Sequence, residues 1–187
     1  MGERVSVSAF ATVYDDLVVQ QEPAPGRAQF VNASGRAWRV GAEVNADVDL
    51  ARFGVPCLRP HANVTLVHSA LEPLADTRLP GQAEWTATAG VSWAPDRLPL
   101  AVHFWYGAIG PRAVGPRPAV PALATTVEPF HRLDAAIDFP LGAGFLLRAF
   151  AENLAFRDQV VTRDGVEVQR VPVGARFGLR LSWGPGG

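Results

Sequence analysis

The sequence predicts an all-β fold: about eight antiparallel strands, joined up and down, that form a segment of a transmembrane β-barrel. Three observations carry that prediction. Apolar and polar residues alternate with a period of two through most of the chain. Short and long connections between the alternating segments take turns. Large aromatic residues fall at two levels along the segments.

Composition bounds what else the chain can be. Its 187 residues suit one unit, read here as a single barrel segment over residues 1–187. A lone cysteine, Cys57, excludes a disulfide framework and any multi-cysteine metal cluster. Seventeen basic residues, all arginine, face 18 acidic ones, for a net charge of −1. The basic excess that nucleic-acid binding needs is lacking, so nucleic acid is not an expected partner. No apolar run approaches the roughly 20 residues of a membrane-spanning helix. Residues 1–8 contain no apolar core of signal-peptide length, as in a chain retained in the cell or one lacking its natural start. The 18 glycines and 16 prolines cluster between apolar segments, where they mark turns.

The first predicted strand covers residues 4–14, with Val5, Val7, Ala9, Ala11 and Val13 on one face. The second, residues 36–50, sets Trp38, Val40, Ala42 and Val44 against Arg39, Gly41, Glu43 and Asn45. The third, residues 62–70, sets Val64 and Leu66 against Asn63 and Thr65. In the fourth, residues 84–94, Trp85, Ala87, Ala89, Val91 and Trp93 oppose Thr86, Thr88, Gly90 and Ser92. The fifth, residues 98–109, is apolar on both faces. The sixth, residues 131–139, sets Leu133, Ala135, Ile137 and Phe139 against Arg132, Asp134 and Asp138. The seventh, residues 144–154, carries Arg148 and Glu152 on one parity. The eighth, residues 172–183, sets Val173, Ala175, Phe177, Leu179, Leu181 and Trp183 against Arg176, Gly178, Arg180 and Ser182.

Alternation alone fits two opposite folds. A soluble lipocalin-like binder turns its apolar face inward; a membrane barrel turns it outward to lipid. The connections favour the second. Those after strands two, four and six are short, near residues 51–61, 95–99 and 140–143. Those after strands one, three, five and seven are long, at residues 15–35, 71–83, 110–130 and 155–171. Membrane barrels pair short periplasmic turns with long extracellular loops. The aromatics agree. Trp85 and Trp93 share a parity eight residues apart, about 20 Å of height at roughly 3.3 Å per residue and a tilt near 40°. Trp38, Trp85 and Tyr106 fall at the long-loop level, and Trp93, Phe139 and Trp183 at the short-turn level. Eight is also the smallest strand number with which a membrane barrel closes, so self-closure is open to this chain.

The last strand, Arg176-Phe177-Gly178-Leu179-Arg180-Leu181-Ser182-Trp183, resembles the C-terminal signal that hands bacterial outer-membrane barrels to their assembly machinery. Its marked positions are Arg176, Gly178, Leu181 and Trp183. More broadly, the chain resembles the C-terminal part of the barrel of TonB-dependent outer-membrane receptors. The strand ending Val13-Tyr14-Asp15-Asp16-Leu17 is similar to the family's Tyr/Asp-Asp-Leu/Ile ending. Asn32-Ala33-Ser34-Gly35, leading into Gly41-Ala42-Glu43, is similar to its Asn-x-Gly/Ala and Gly-x-Glu stretch. Pro80-Gly81-Gln82 before Trp85 matches a loop ending in Pro-x-x-Pro/Gln-x-aromatic. Leu133-Asp134 and Asn153-Leu154 resemble two further motifs, with Ala155-Phe156 where the family has Phe-Asp.

That resemblance implies a wall segment of a 22-stranded barrel closed by a plug domain, importing a scarce nutrient such as an iron–siderophore complex. It implies outer-membrane lipid and the barrel-assembly machinery as partners, with TonB engaged only through a plug that these residues do not contain. It implies no cofactor and no enzymatic activity, and it does not name the ligand. Two alternatives stand beside it: a stand-alone eight-stranded outer-membrane barrel with a structural or adhesive role, and the soluble binder.

The remaining side chains suggest little chemistry. Cys57 and His61 form a single Cys-x-x-x-His pair, which is not a zinc site. Gly142-Ala143-Gly144 reads as a tight turn rather than a phosphate loop. Asp134 and Asp138 share a face but stand about 13 Å apart on a strand, too far for paired-carboxylate catalysis. Arg39, Glu43, Asp47, Arg132, Asp138, Arg148, Glu152, Arg176 and Arg180 read as a mixed-charge lumenal wall.

Overall fold

A computed structural model describes residues 3–24, 27–32, 35–71, 78–114, 117–118 and 125–184. Eight long strands form one antiparallel sheet: β1 (Arg4–Tyr14), β4 (Ala37–Asp47), β5 (Leu58–Leu71), β6 (Trp85–Trp93), β7 (Ala101–Ile109), β11 (Phe130–Gly142), β12 (Phe145–Glu152) and β15 (Arg176–Trp183). They are hydrogen-bonded in that order, each to the next long strand in the chain, an up-and-down meander as the alternation predicts. Their lengths, 8 to 14 residues, suit the roughly 9–11 residues that a tilted strand needs to cross a bilayer.

Exposure decides between the two faces. Val5 and Val7 on β1 are 68% and 73% exposed, and Phe177, Leu179, Leu181 and Trp183 on β15 range from 61% to 75%. Among the described residues only six apolar side chains are buried, four of them alanine. A soluble barrel of this size would hide those large side chains in its interior. Here they line the convex side, and the charged parity lines the concave side, so the soluble-binder reading is set aside.

The turns between β4 and β5, β6 and β7, and β11 and β12 share one end of the sheet. The tightest, after β11, places Gly142, Ala143 and Gly144 at φ of 84°, 50° and 79°, left-handed values that explain two glycines in three residues. The turn after β4 contains a 3-10 helix, Leu50–Phe53, whose first turn is capped by the Asp49 carboxylate accepting from Ala51 N–H at 3.0 Å. Trp93, Phe139 and Trp183 lie at this end, and Trp38, Trp85 and Tyr106 at the other, as expected.

Two expectations are corrected. β5 begins at Leu58, four residues before the predicted start, and β15 begins at Arg176, four residues after it. Val173 and Ala175 therefore precede the last strand, half-buried, rather than facing outward from it. Nor are the long connections plain loops. They hold β2 (Val18–Ala24), β3 (Arg27–Asn32), β8 (Arg112–Val114), β9 (Arg117–Pro118), β10 (Thr125–Val127), β13 (Gln159–Arg163) and β14 (Val166–Val171). These form two small sheets, β3-β2-β9 and β14-β13-β10-β8. The question of self-closure is also answered: β1 and β15 do not pair, and the eight-stranded sheet stays open.

Because lipid penalises a bare guanidinium most at the midplane, Leu179→Arg should cost about 2–4 kcal/mol and Leu181→Arg, nearer the short-turn rim, less. Heat-modifiable folded protein in outer-membrane fractions reads this out. Equal, wild-type yields of both variants would contradict the outward assignment.

Candidate functional site

The concave wall is the candidate site. Period-two pleating sends one parity of each strand to it, and the register sets which residues meet. On β4 and β5, Asn45 Nδ2 and Asn63 Nδ2 both donate to Glu43 Oε1 at 2.9 Å, and Asn63 Nδ2 also reaches Asn45 Oδ1 at 2.6 Å. Two amides thus hold one carboxylate flat against the wall. Beside it, the Arg39 guanidinium lies over the rings of Phe10 and Tyr14, at 5.5 and 6.0 Å.

A second network crosses four strands. Ser92 Oγ on β6 is 2.8 Å from His103 Nδ1 on β7. His103 Nε2 is 3.3 Å from Asp138 Oδ2 on β11, an electrostatic contact without hydrogen-bond alignment. Arg148 on β12 grips Asp138 with two bonds of 2.6 Å. The order Ser–His–Asp invites comparison with a hydrolytic triad. Here Arg148 binds both oxygens of Asp138, and His103 Nε2 makes no aligned hydrogen bond to that carboxylate, so the imidazole is not held as a triad aspartate holds it. The string is a wall tie, and Trp105, stacked on His103 at 5.3 Å and 8°, fixes the ring further.

Asp134 and Asp138, read from sequence as separated carboxylates, each have their own arginine. Asp134 accepts from Arg132 Nε at 2.7 Å, and Arg148 serves Asp138. Glu152 and Arg176 pair at 2.6 Å between β12 and β15. A groove of about 690 Å³ runs along this part of the wall past Thr88, Trp105, Arg132, Arg148 and Phe150. A second, about 840 Å³, opens at the short-turn end beside Arg4, Asp47, Cys57 and His61. The described residues include no group of three or more His, Cys, Asp or Glu side chains placed to hold a metal.

The motif residues divide by location. Asp15 pairs with Arg36 at 3.2 Å across the ends of β1 and β4, and Asp16 takes a left-handed turn at φ 55°. Asn32 closes β3 opposite Val18. Gly41 lies beneath the Phe10 ring, and Glu43 anchors the amide network. Pro80 and Gly81 form a turn whose Gly81 N–H donates to Ala113 O at 2.7 Å. Asp134, Asn153 and Leu154, 19 and 20 positions apart in sequence, meet in one joint. Asn153 N–H donates to Asp134 Oδ1 at 2.9 Å, and Leu154 N–H to Leu133 O at 2.7 Å. The Asn153 amide, 2% exposed, donates to the carbonyls of Val173 and Arg157. Its φ of 54° suits asparagine better than most residues.

The residues that resemble an assembly signal in sequence lie on β15. Arg176 pairs with Glu152, Leu181 faces outward, and the Trp183 ring sits 6.5 Å from Phe145 at the short-turn rim. Gly178 stands opposite Phe150, and a Cβ there would lie 2.5 Å from Phe150 Cζ. Sequence reasoning did not find the ties through Ser92, His103 and Trp105. Their signal is cross-strand register, which one strand read alone does not show.

The long connections carry the rest. The connection between β7 and β11 supplies β8, β9 and β10. β9 pairs in parallel with β2, β10 with β13, and β8 with β10 and, through the Ala83–Arg112 bridge, with the approach to β6. All four long connections are thereby bonded side to side. In this collar Arg170 holds the Glu167 carboxyl below its usual range through a bidentate ion pair.

The model of the TonB dependent receptor-like β-barrel family matches residues 2–154. The fold is similar to solved structures of the copper transporter OprC (16% identity, TM-score 0.71), of the ferric-catecholate import receptor Fiu from E. coli K12 (18%, 0.64) and of the ferric yersiniabactin uptake receptor FyuA from Yersinia pestis (16%, 0.65). They cover 97%, 96% and 96% of this chain, which spans only 29%, 24% and 26% of theirs. No curated protein matches the sequence.

Two substitutions test the site's geometry. Asn153→Ala removes the donors serving Val173 and Arg157, so the joint should weaken by about 1–3 kcal/mol. Amide exchange in residues 153–175 should quicken while β6 and β7 stay protected; unchanged exchange would refute the joint. Gly178→Ala should destabilise by about 1–3 kcal/mol through overpacking, and Phe150→Ala in the same chain should relieve it. Strictly additive effects in that double-mutant cycle would exclude the packing explanation.

Proposed function

The chain belongs to the TonB-dependent receptor family of β-barrels, and from that premise we propose that it is a stretch of barrel wall in an outer-membrane receptor that imports a scarce nutrient. The substrate class we favour is a metal complex, an iron–siderophore complex above all. The observation that carries the reading is the open sheet, apolar on its convex side and ionic on its concave side, with its long connections tied together at one end. An apolar outside requires lipid, and an ionic concave wall suits an interior that is polar and occupied. The short fraction of the similar structures that this chain spans supports a wall segment rather than a whole transporter. Alone it would not transport, because its two edge strands have no partner. Energy coupling to TonB, and the plug that conveys it, lie outside these residues in this proposal.

In the same reading the long-connection end faces the medium and receives the ligand. The connection at residues 110–129 holds Pro111, Pro116, Pro118, Pro121 and Pro129, and prolines lower the entropy lost when a surface is ordered. Removing residues 113–124 from the intact receptor should leave barrel assembly unchanged and lower uptake by about tenfold or more, a loss of about 1.4 kcal/mol of recognition. Unchanged uptake would leave the prolines only the role of keeping an exposed segment from adding to other strands.

A further inference from the structure

The outward face of the sheet carries little that is polar. On the described long strands, apart from tryptophan indoles, its polar side chains are His68, Tyr106 and His131, all toward the long-connection end. The Tyr106 hydroxyl and His131 Nδ1 answer each other at 2.6 Å. The described contact of His68 is with the Trp38 ring, 5.3 Å away and tilted by 58°, and the imidazole stays exposed. Beside it lies a groove of about 490 Å³ on β4, β5 and the start of β6, within the roughly 300–1,000 Å³ of small-molecule sites. Register sets its floor. Val40 stands opposite His68, Ala42 opposite Leu66, and Leu66 opposite Trp85. Ala42 is the small member, so the floor dips there. The upper wall is Arg78, which forms an ion pair with Glu84 just before β6.

An apolar depression on a lipid-facing wall is filled by acyl chain, the apolar material around it. The polar rim distinguishes this one, because its donors outnumber its acceptors. A guanidinium has five N–H donors and an imidazole at least one, whereas the acceptor here is the single carboxylate of Glu84. That surplus suits a phosphate, which accepts several hydrogen bonds and carries the charge a guanidinium favours. Arginine at a membrane surface is drawn to anionic lipid for the same reason. We infer that the groove is a binding site for one phosphate-bearing lipid, with an acyl chain over Val40, Ala42 and Leu66 and the phosphate against Arg78 and His68. Bound there, the lipid ties the second long connection, through Arg78, to the lipid-facing wall. The inference rests on the membrane-barrel reading above.

The test uses the full-length receptor purified in detergent, with phosphatidate as the probe and diacylglycerol of the same chains as its phosphate-free control. Phosphatidate carrying a photoactivatable group in one chain should label β4 and β5 near Ala42 and Leu66 in preference to outward residues of β15 such as Leu179. In native mass spectrometry the receptor should retain phosphatidate and lose diacylglycerol. Arg78→Gln should lower that retention about tenfold. Arg78→Gln combined with Glu84→Gln, which removes repulsion from an unpaired carboxylate, should lower it as far. Labelling spread evenly over the outward strands, equal retention of the two lipids, or wild-type retention in the single or the double variant would overturn the inference and leave the barrel reading intact. The labelling is done on the unsubstituted receptor and decides the matter if a variant does not fold. Absence of any heat-modifiable form in the unsubstituted receptor would remove the barrel reading, and this inference with it.

Discussion

In hydrocarbon an unpaired peptide group costs several kcal/mol, and that constraint organises this structure. It is met by ladders between neighbours: eleven-residue registers join β1 to β4 and β4 to β5, and β5 to β7 continue them. Packing contributes little by comparison. Among the described residues, the apolar cluster with a fully buried centre is small and sits at the long-connection ends of β1, β4 and β5, where Ala37 and Leu71 meet Tyr14, Leu17, Val31 and Leu79. That cluster seats the β2–β3 hairpin on the rim. The wall itself has no hydrophobic core, because its apolar side chains are buried by solvent lipid instead of by each other.

The same constraint explains what the sequence makes legible. A strand between lipid and a polar lumen must alternate strictly, so the eight long strands and their order can be read from residue parity. Gly142-Ala143-Gly144 announces its turn. Other elements were hidden for physical reasons. β13 and β14 are joined by Asp164-Gly165, both left-handed at φ 51° and 71°, the signature of a tight hairpin. The signal is present, but an exposed hairpin has no buried face to enforce alternation, so the segment reads as a loop. Register was hidden more deeply. Nothing in the sequence around Ser92, His103, Asp138 or Arg148 says that these four align, because alignment depends on the lengths of three separate turns. The joint of Asp134 with Asn153 was visible only as two motifs, not as one contact.

The connection at residues 110–129 shows how a long loop becomes a structural member. Short strands such as β8, β9 and β10, of two or three residues each, are too short to be stable alone. Each borrows a partner from a different connection: β2 from the first, the Gly81–Ala83 approach from the second, β13 from the fourth. Bringing four connections together costs loop-closure entropy that grows only slowly with length. Shared strands recover that cost in backbone hydrogen bonds. A surface built this way has one member in contact with all the others.

Glycine in a strand is costly, since it packs nothing and loses the most backbone entropy. On the lumenal wall the cost is offset in a repeated way. Phe10 stands opposite Gly41, His61 opposite Gly90, and Phe150 opposite Gly178, and in each pair the ring lies over the glycine where a Cβ would collide with it. Each ring thereby shields a backbone stretch that would otherwise be bare, while keeping its own bulk close to the wall. Phe150 gains more than this. The guanidinium groups of Arg176 and Arg180 lie 5.8 and 6.0 Å from its ring, so two cations of the edge strand rest on one aromatic face system. The glycine of the C-terminal motif is thus inseparable from an aromatic on the preceding strand. A motif that looks local to β15 is half of a cross-strand unit, and the other half is Phe150.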